Sequence, residues 1–257
     1  MYRQGKFPIV EKKASAKDTF DITVKCPHIA KEAQPGQFAQ VMAEGFFLRR
    51  PISICEINKE KGTIRLVFQV RGKGTEEISS LNVGDMVDII APLGKGFKVL
   101  PEGKKCICIG GGIGTPPMLG IAEEYGENAT VISGFRSANA VILQEDFVKI
   151  GAKTILCTDD GTQGRKGFVT DALSDLLKEE KPDIVYACGP MVMLKGITKI
   201  CKEAGIYCQV SLEQRMACGV GACLVCVCRT VKDGEEFNSH VCKDGPVFDS
   251  EEVVFDE

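Results

Sequence analysis

The placement of cysteine constrains this chain more than any other feature. Cys218-Gly-Val-Gly-Ala-Cys223-Leu-Val-Cys226 has the spacing C-x4-C-x2-C, and fifteen further residues separate Cys226 from Cys242. Three thiols in one loop and a fourth beyond it form the plant-type [2Fe–2S] arrangement. Gly219 and Gly221 suit it, because φ > 0 turns let a loop wrap a cluster with its backbone N–H groups on the sulfurs. A zinc site is usually built from two close C-x2-C pairs, and the second pair is missing. Cys228 would make the spacing C-x4-C-x4-C and is read as a bystander. The competing reading is a zinc knuckle, or cysteines that are simply buried.

The other cysteines read differently. There are 13 in all, an odd count. The opening MYRQGKFPIVEKKAS has no apolar core of signal-peptide length, so disulfides are not expected. Cys55, Cys106, Cys108, Cys157 and Cys188 sit in apolar runs, where cysteine behaves as a small hydrophobe. With a net charge of −3 and no basic run, neither nucleic acid nor an anionic membrane is indicated as a partner. No stretch approaches a membrane span. A soluble, cytoplasmic protein is expected.

Patterning divides the 257 residues into three. Residues 1–101 carry short strand-like runs (Asp21–Lys25, Phe38–Ala43, Ile52–Ile57, Thr63–Val70, Met86–Ala91) broken by Gly, Pro and Asn, which predicts a small antiparallel barrel with one helix near Thr75–Leu81. In residues 102–210, continuous apolar runs alternate with amphipathic helical segments, which predicts a parallel sheet covered by helices. The expected class is a β-barrel plus an α/β domain. Residues 211–257 form a small subdomain that needs a metal site as its staple.

Three turns suit phosphate. Arg50-Pro51-Ile52-Ser53 offers a planar cation, a rigid Pro and a hydroxyl at a strand start. Gly74-Thr75, in Gly72-Lys73-Gly74-Thr75, opens a helix whose free N–H groups favour an anion. Two such elements on one barrel fit the two phosphates of FAD. Gly111, Gly112, Gly114 and Thr115 lie in a Gly-rich turn between a buried strand and a helix, but the G-x-G-x-x-G spacing is not met and no carboxylate ends the next strand. Arg136 stands there instead, suited to a 2′-phosphate or to plain solvation.

RPIS followed by a strand and GxGT resembles the flavin domain of the ferredoxin–NADP⁺ reductase superfamily. The order of barrel, nucleotide domain and cluster loop resembles the electron-transfer subunits of NAD-dependent dihydroorotate dehydrogenases along the whole chain. The resemblance implies flavin contacts at Arg50, Pro51, Ile52, Ser53, Gly74 and Thr75, and backbone contacts at Val67, Phe68 and Gln69. It places Cys188, in Cys188-Gly189-Pro190, beside the nicotinamide, where the residues alone read as a buried strand-end thiol. It names Cys218, Cys223, Cys226 and Cys242 as cluster ligands and NAD rather than NADP as the nucleotide. It implies an FMN-containing catalytic partner subunit in a heterotetramer that serves pyrimidine biosynthesis. Related subunits of a sulfide dehydrogenase, a soluble hydrogenase or a ferredoxin:NADP⁺ oxidoreductase share the same order. A non-catalytic zinc-binding interaction module is the alternative from another class.

Overall fold

The structure is a computed structural model that describes residues 2–255. Its first body contains β1 (Arg3–Ala16), β2 (Thr19–Lys25), α1 (Pro27–Glu32), β3 (Phe38–Val41), β4 (Arg50–Asn58), β5 (Thr63–Gln69), α2 (Lys73–Ser80) and β6 (Met86–Leu93). The six strands close into an antiparallel barrel in the order β1-β2-β5-β4-β3-β6. Alternate residues point inward, so Ala39 and Val41, Ile52 and Ile54, Ile64 and Leu66, and Val87, Ile89 and Ala91 share one buried interior. Ile29 of α1 and Ile78 of α2 join it. The longest strand, β1, is one that patterning did not predict. Only Ile9 within it is buried, and the strand is held by pairing with β6 at its start and β2 at its end.

The second body alternates β7 (Cys106–Gly111), α3 (Pro116–Glu123), β8 (Ala129–Phe135), α4 (Gln144–Lys149), β9 (Lys153–Thr158), β10 (Arg165–Lys166), α5 (Val169–Glu179), β11 (Ile184–Cys188), α6 (Met191–Ala204) and β12 (Cys208–Ser211). These strands are all parallel. Both sheet faces are covered, which is why the strands read as unbroken apolar runs. In β7, Ile107 and Ile109 pack on the face shared with α5 and α6, while Cys106 and Cys108 pack on the α3 side. Each buried Ile contributes about 1.5–3 kcal/mol of transfer free energy.

The chain then leaves the sheet for the cysteine loop and a hairpin of β13 (Val227–Lys232) and β14 (Glu235–His240). Asp233 and Gly234, with φ of 51° and 84°, make its two-residue turn. The chain returns as β15 (Val247–Asp249), antiparallel to β12, and completes the sheet order β10-β9-β8-β7-β11-β12-β15. Cys226, Val241 and Cys242 are buried in the core of the α5/α6 face, so the cysteine loop shares a core with the sheet.

One ion-pair network ties barrel to sheet. Arg65 on β5 bonds Asp21 at 2.7–3.1 Å, Asp146 of α4 at 2.8 Å and Glu56 at 3.2 Å. Arg65 is 8% exposed and Asp21 3%. Among the described residues, no helix is long and apolar enough to cross a membrane.

Candidate functional site

The barrel wall parts where the flavin residues were predicted. The β4–β5 ladder runs from Asn58↔Thr63 to Ile54↔Leu66 and stops there. Beyond that point Arg50–Ser53 pair with β3, and Val67–Gln69 pair with β2. Arg50, Pro51, Ile52 and Ser53 therefore flank one side of the parting, and Val67, Phe68 and Gln69 the other. Ile52 and Phe68 are turned into the barrel core, while Pro51 is exposed and Ser53 half-buried.

The two adjacent arginines differ in what they touch. Arg49 is tied to Asp88, 2.8 Å to the carboxylate and 3.1 Å to the carbonyl. Arg50 lies with its guanidinium 5.1 Å from the centre of the Phe46 ring and against the first turn of α2. A Cβ at Gly74 would overlap that guanidinium, so glycine is required for the approach. A cation beside a helix N-terminus is unfavourable unless an anion shares the site, because both carry positive potential. That juxtaposition fits a phosphate. The Thr75 hydroxyl serves the turn itself, accepting from the N–H groups of Arg71 (2.9 Å) and Gly72 (3.2 Å) and donating to the Gly72 carbonyl (2.9 Å). It leaves the first-turn N–H groups, which have no intrahelical partner, to face an anion.

In the sheet, β8, β9 and β10 lie to one side of β7, and β11 and β12 to the other. The reversal of strand order falls between β7 and β11, and ligands of open α/β sheets bind in the crevice beyond the strand ends at such a point. The Gly110–Thr115 turn and the Cys188–Pro190 turn meet there. A Cβ at Gly114 would overlap the Cys188 carbonyl and lie 2.8 Å from the Gly189 Cα. Gly111 and Gly112 are half-exposed at the crevice. Thr115 is fully buried, packed under Gly110, with its hydroxyl unpartnered, so it faces away from solvent. Burial pushes the half-buried Cys188 thiol up to about 12, outweighing its hydrogen bond with Ser211. It is neutral at physiological pH. Arg136 is exposed at the end of β8.

The cysteine loop turns its backbone onto sulfur. Cys218 Sγ accepts from the N–H groups of Val220 (3.4 Å) and Ala222 (3.3 Å), Cys242 Sγ from Gly221 (3.1 Å), and Cys226 Sγ from Cys242 (3.4 Å). Gly219 and Gly221 have φ of 73° and 84°, as the wrap requires. Burial alone would raise the Cys218 thiol, but these N–H donors and Cys223 outweigh it and hold it at about 6. Cys242 is pushed up to about 12 by burial and by Cys226. The sulfurs of Cys218, Cys226 and Cys242 thus each accept from the loop's own backbone. Among the described residues, no three His, Cys, Asp or Glu side chains converge as they would round one metal ion. Cys228 lies on β13, and burial pushes its thiol up to about 11.

Two features of this region were not anticipated. The hairpin after the loop was signalled by Asp233-Gly234 between alternating runs. Leu224 and Val225, between Cys223 and Cys226, are 62% and 52% exposed, so the outer surface of the loop is apolar around the exposed Cys223.

Two stretches of the chain match family models. Residues 213–254 match the model of the iron–sulfur cluster binding domain of dihydroorotate dehydrogenase B, and residues 108–199 the oxidoreductase NAD-binding domain. A relative from Caldanaerobacter subterraneus subsp. tengcongensis is 41% identical over 92% of this chain and 91% of its own length. One from Bacillus cereus is 38% identical over 99% of this chain and 100% of its own. Both are named dihydroorotate dehydrogenase B (NAD⁺), electron transfer subunit. Among solved structures, an NADH-dependent reduced ferredoxin–NADP oxidoreductase superposes with a TM-score of 0.86 at 34% identity, covering 98% of this chain and 90% of that one. A cytochrome P450 reductase from Amycolatopsis, 23% identical with a TM-score of 0.66 over 79% of this chain and 66% of its own, shares the fold. The chain belongs to the family of dihydroorotate dehydrogenase B electron transfer subunits.

Proposed function

We propose that this chain carries electrons from an FMN-containing dihydroorotate dehydrogenase catalytic subunit, through a [2Fe–2S] cluster and FAD, to NAD⁺. The observation that carries the reading is a loop of C-x4-C-x2-C spacing whose backbone N–H groups are turned onto the sulfurs of Cys218, Cys226 and Cys242. FAD, when bound, exchanges hydride with a nicotinamide and single electrons with a cluster, which is why a chain joining the two needs it.

The residues divide the work. Arg50 and the first turn of α2 at Gly74 and Thr75 hold the pyrophosphate. Pro51, Ile52, Ser53 and the backbone of Val67–Gln69 border the flavin ring. The backbone at Gly111, Gly112 and Gly114 lets the nucleotide approach the crevice at close range, and Thr115 supports that turn from beneath. Cys188, protonated at neutral pH, packs beside the nicotinamide without acting as a nucleophile. Cys218, Cys223, Cys226 and Cys242 ligate the cluster. The apolar Leu224–Val225 surface faces the catalytic subunit in a cytoplasmic heterotetramer, and the isolated chain does not oxidise dihydroorotate.

The test is an anaerobic visible spectrum titrated with NADH. Flavin bands on an iron–sulfur envelope, both bleaching on addition, are expected. A colourless protein containing zinc would refute the reading. The 34% identity to the ferredoxin-linked oxidoreductase keeps a second reading in play, and copurification with an FMN-bearing subunit decides between them.

A further inference from the structure

Gln40 on β3 is a fully buried amide (0% exposed), and among the described residues its Oε1 has no hydrogen-bond partner. Its Nε2 reaches Met216 Sδ at 3.9 Å. An unsatisfied buried carbonyl is destabilising, and a leucine of similar size would fill the space without that cost. Packing alone therefore does not account for a glutamine here.

Its neighbours point to a role. Along β3, Ala39 and Val41 point into the barrel, so Gln40 and Phe38 point out of it. Gln40 pairs across the ladder with Pro51, and Phe38 with Ser53. The outward face of β3 thus lies beside the outward residues of the strand assigned to the flavin. From the other side, Gly219 of the cysteine loop lies flat on the amide: a Cβ there would stand 2.5 Å from Nε2 and 2.9 Å from Cδ. Met216, two residues before Cys218, covers the same group. One polar side chain is therefore enclosed between the strand that borders the flavin and the loop that carries the thiols.

We propose that Gln40 is a positioning residue for electron transfer, its amide fixing the cluster loop against the flavin-bearing strands and polarising the route between them. The inference rests on the cofactor assignment above. It predicts a residue whose replacement spares folding and hydride transfer and slows only the step between the two centres. A merely structural residue would do the reverse.

The experiment uses the full chain as isolated anaerobically, with Gln40→Leu and, as a second variant, Gln40→Met. FAD, iron and sulfide content, thermal stability, the cluster midpoint potential and EPR signal are measured. Stopped-flow traces after NADH mixing follow flavin bleaching and cluster bleaching separately. Expected are wild-type cofactor content, stability equal or higher, flavin reduction within twofold of wild type, cluster reduction at least tenfold slower, and a shifted potential. Cluster reduction within twofold of wild type at an unshifted potential overturns the proposal, as does loss of the cluster from both variants, which would make Gln40 structural. A wild-type chain without FAD or cluster overturns the cofactor assignment itself, and the proposal with it.

Discussion

Replacing Arg65 by methionine removes a buried cation bonded to both barrel and sheet. The substitution keeps a long apolar stem while deleting the bonds to Asp21, Glu56 and Asp146. Asp21, 3% exposed, then keeps only Lys13, whose Nζ lies 3.4 Å away on a side chain 60% exposed. Breaking a buried pair by removing one partner costs about 3–5 kcal/mol, and an exposed lysine returns at most about 1 kcal/mol. The expected loss is about 3 kcal/mol, or on the order of 6–12 °C in Tm for a chain of this size. Thermal unfolding by circular dichroism at pH 7.5 measures it. Asp146→Asn leaves Arg65 bonded to Asp21 and Glu56 and should cost about 1–2 kcal/mol. Although burial pushes Asp146 up, Arg65 outweighs it and holds the carboxyl below its ordinary value. The part of the penalty that belongs to Asp146 is therefore present at neutral pH and fades as pH falls through that depressed value. A Tm for Arg65→Met within 2 °C of wild type, or an Asp146→Asn loss as large as that of Arg65→Met, would refute the reasoning.

Two further outcomes are expected. Cys226→Ser loses the iron–sulfur absorbance and Cys228→Ser keeps it; equal loss in both would reassign the ligand set. Gly114→Ala forces a Cβ into the Cys188 carbonyl, an overpacking of about 1–3 kcal/mol, and raises the KM for NADH at least tenfold with the visible spectrum intact; an unchanged KM would remove this turn from the nucleotide site.

The parallel sheet and the cysteine loop were legible because each has a local signature. β11 and α6 fall in the stretch where alternation predicted strands and helices, since a doubly covered strand and an amphipathic helix both write their burial into neighbouring residues. The loop was legible because cluster geometry fixes spacing along a single segment. The strand β1 was not, because its register comes from pairing on two sides while its side chains stay mostly in solvent. Arg65 and Gln40 were silent for a related reason. Their partners, at 21, 56 and 146 in one case and 51, 216 and 219 in the other, are brought together by tertiary folding alone. Thr75 and Thr115 show the converse: a turn pattern located them, yet only packing tells that one hydroxyl holds its own turn and the other is enclosed.

The seventh strand of the sheet, β15, comes from the segment after Cys242, and this ties solubility to iron. A strand with an unpaired flank is a template for another chain. At one end of the sheet β10 is two residues long and basic, Arg165–Lys166, which discourages such pairing. At the other end β12 is buried along its whole length, and β15 is its cover. β15 begins five residues after the buried Cys242, which the proposed reading assigns to the cluster. On that reading, a chain deprived of its cluster is expected to loosen that cover and expose β12 to its neighbours. Iron limitation should therefore appear first as self-association of the protein, before any change in the barrel.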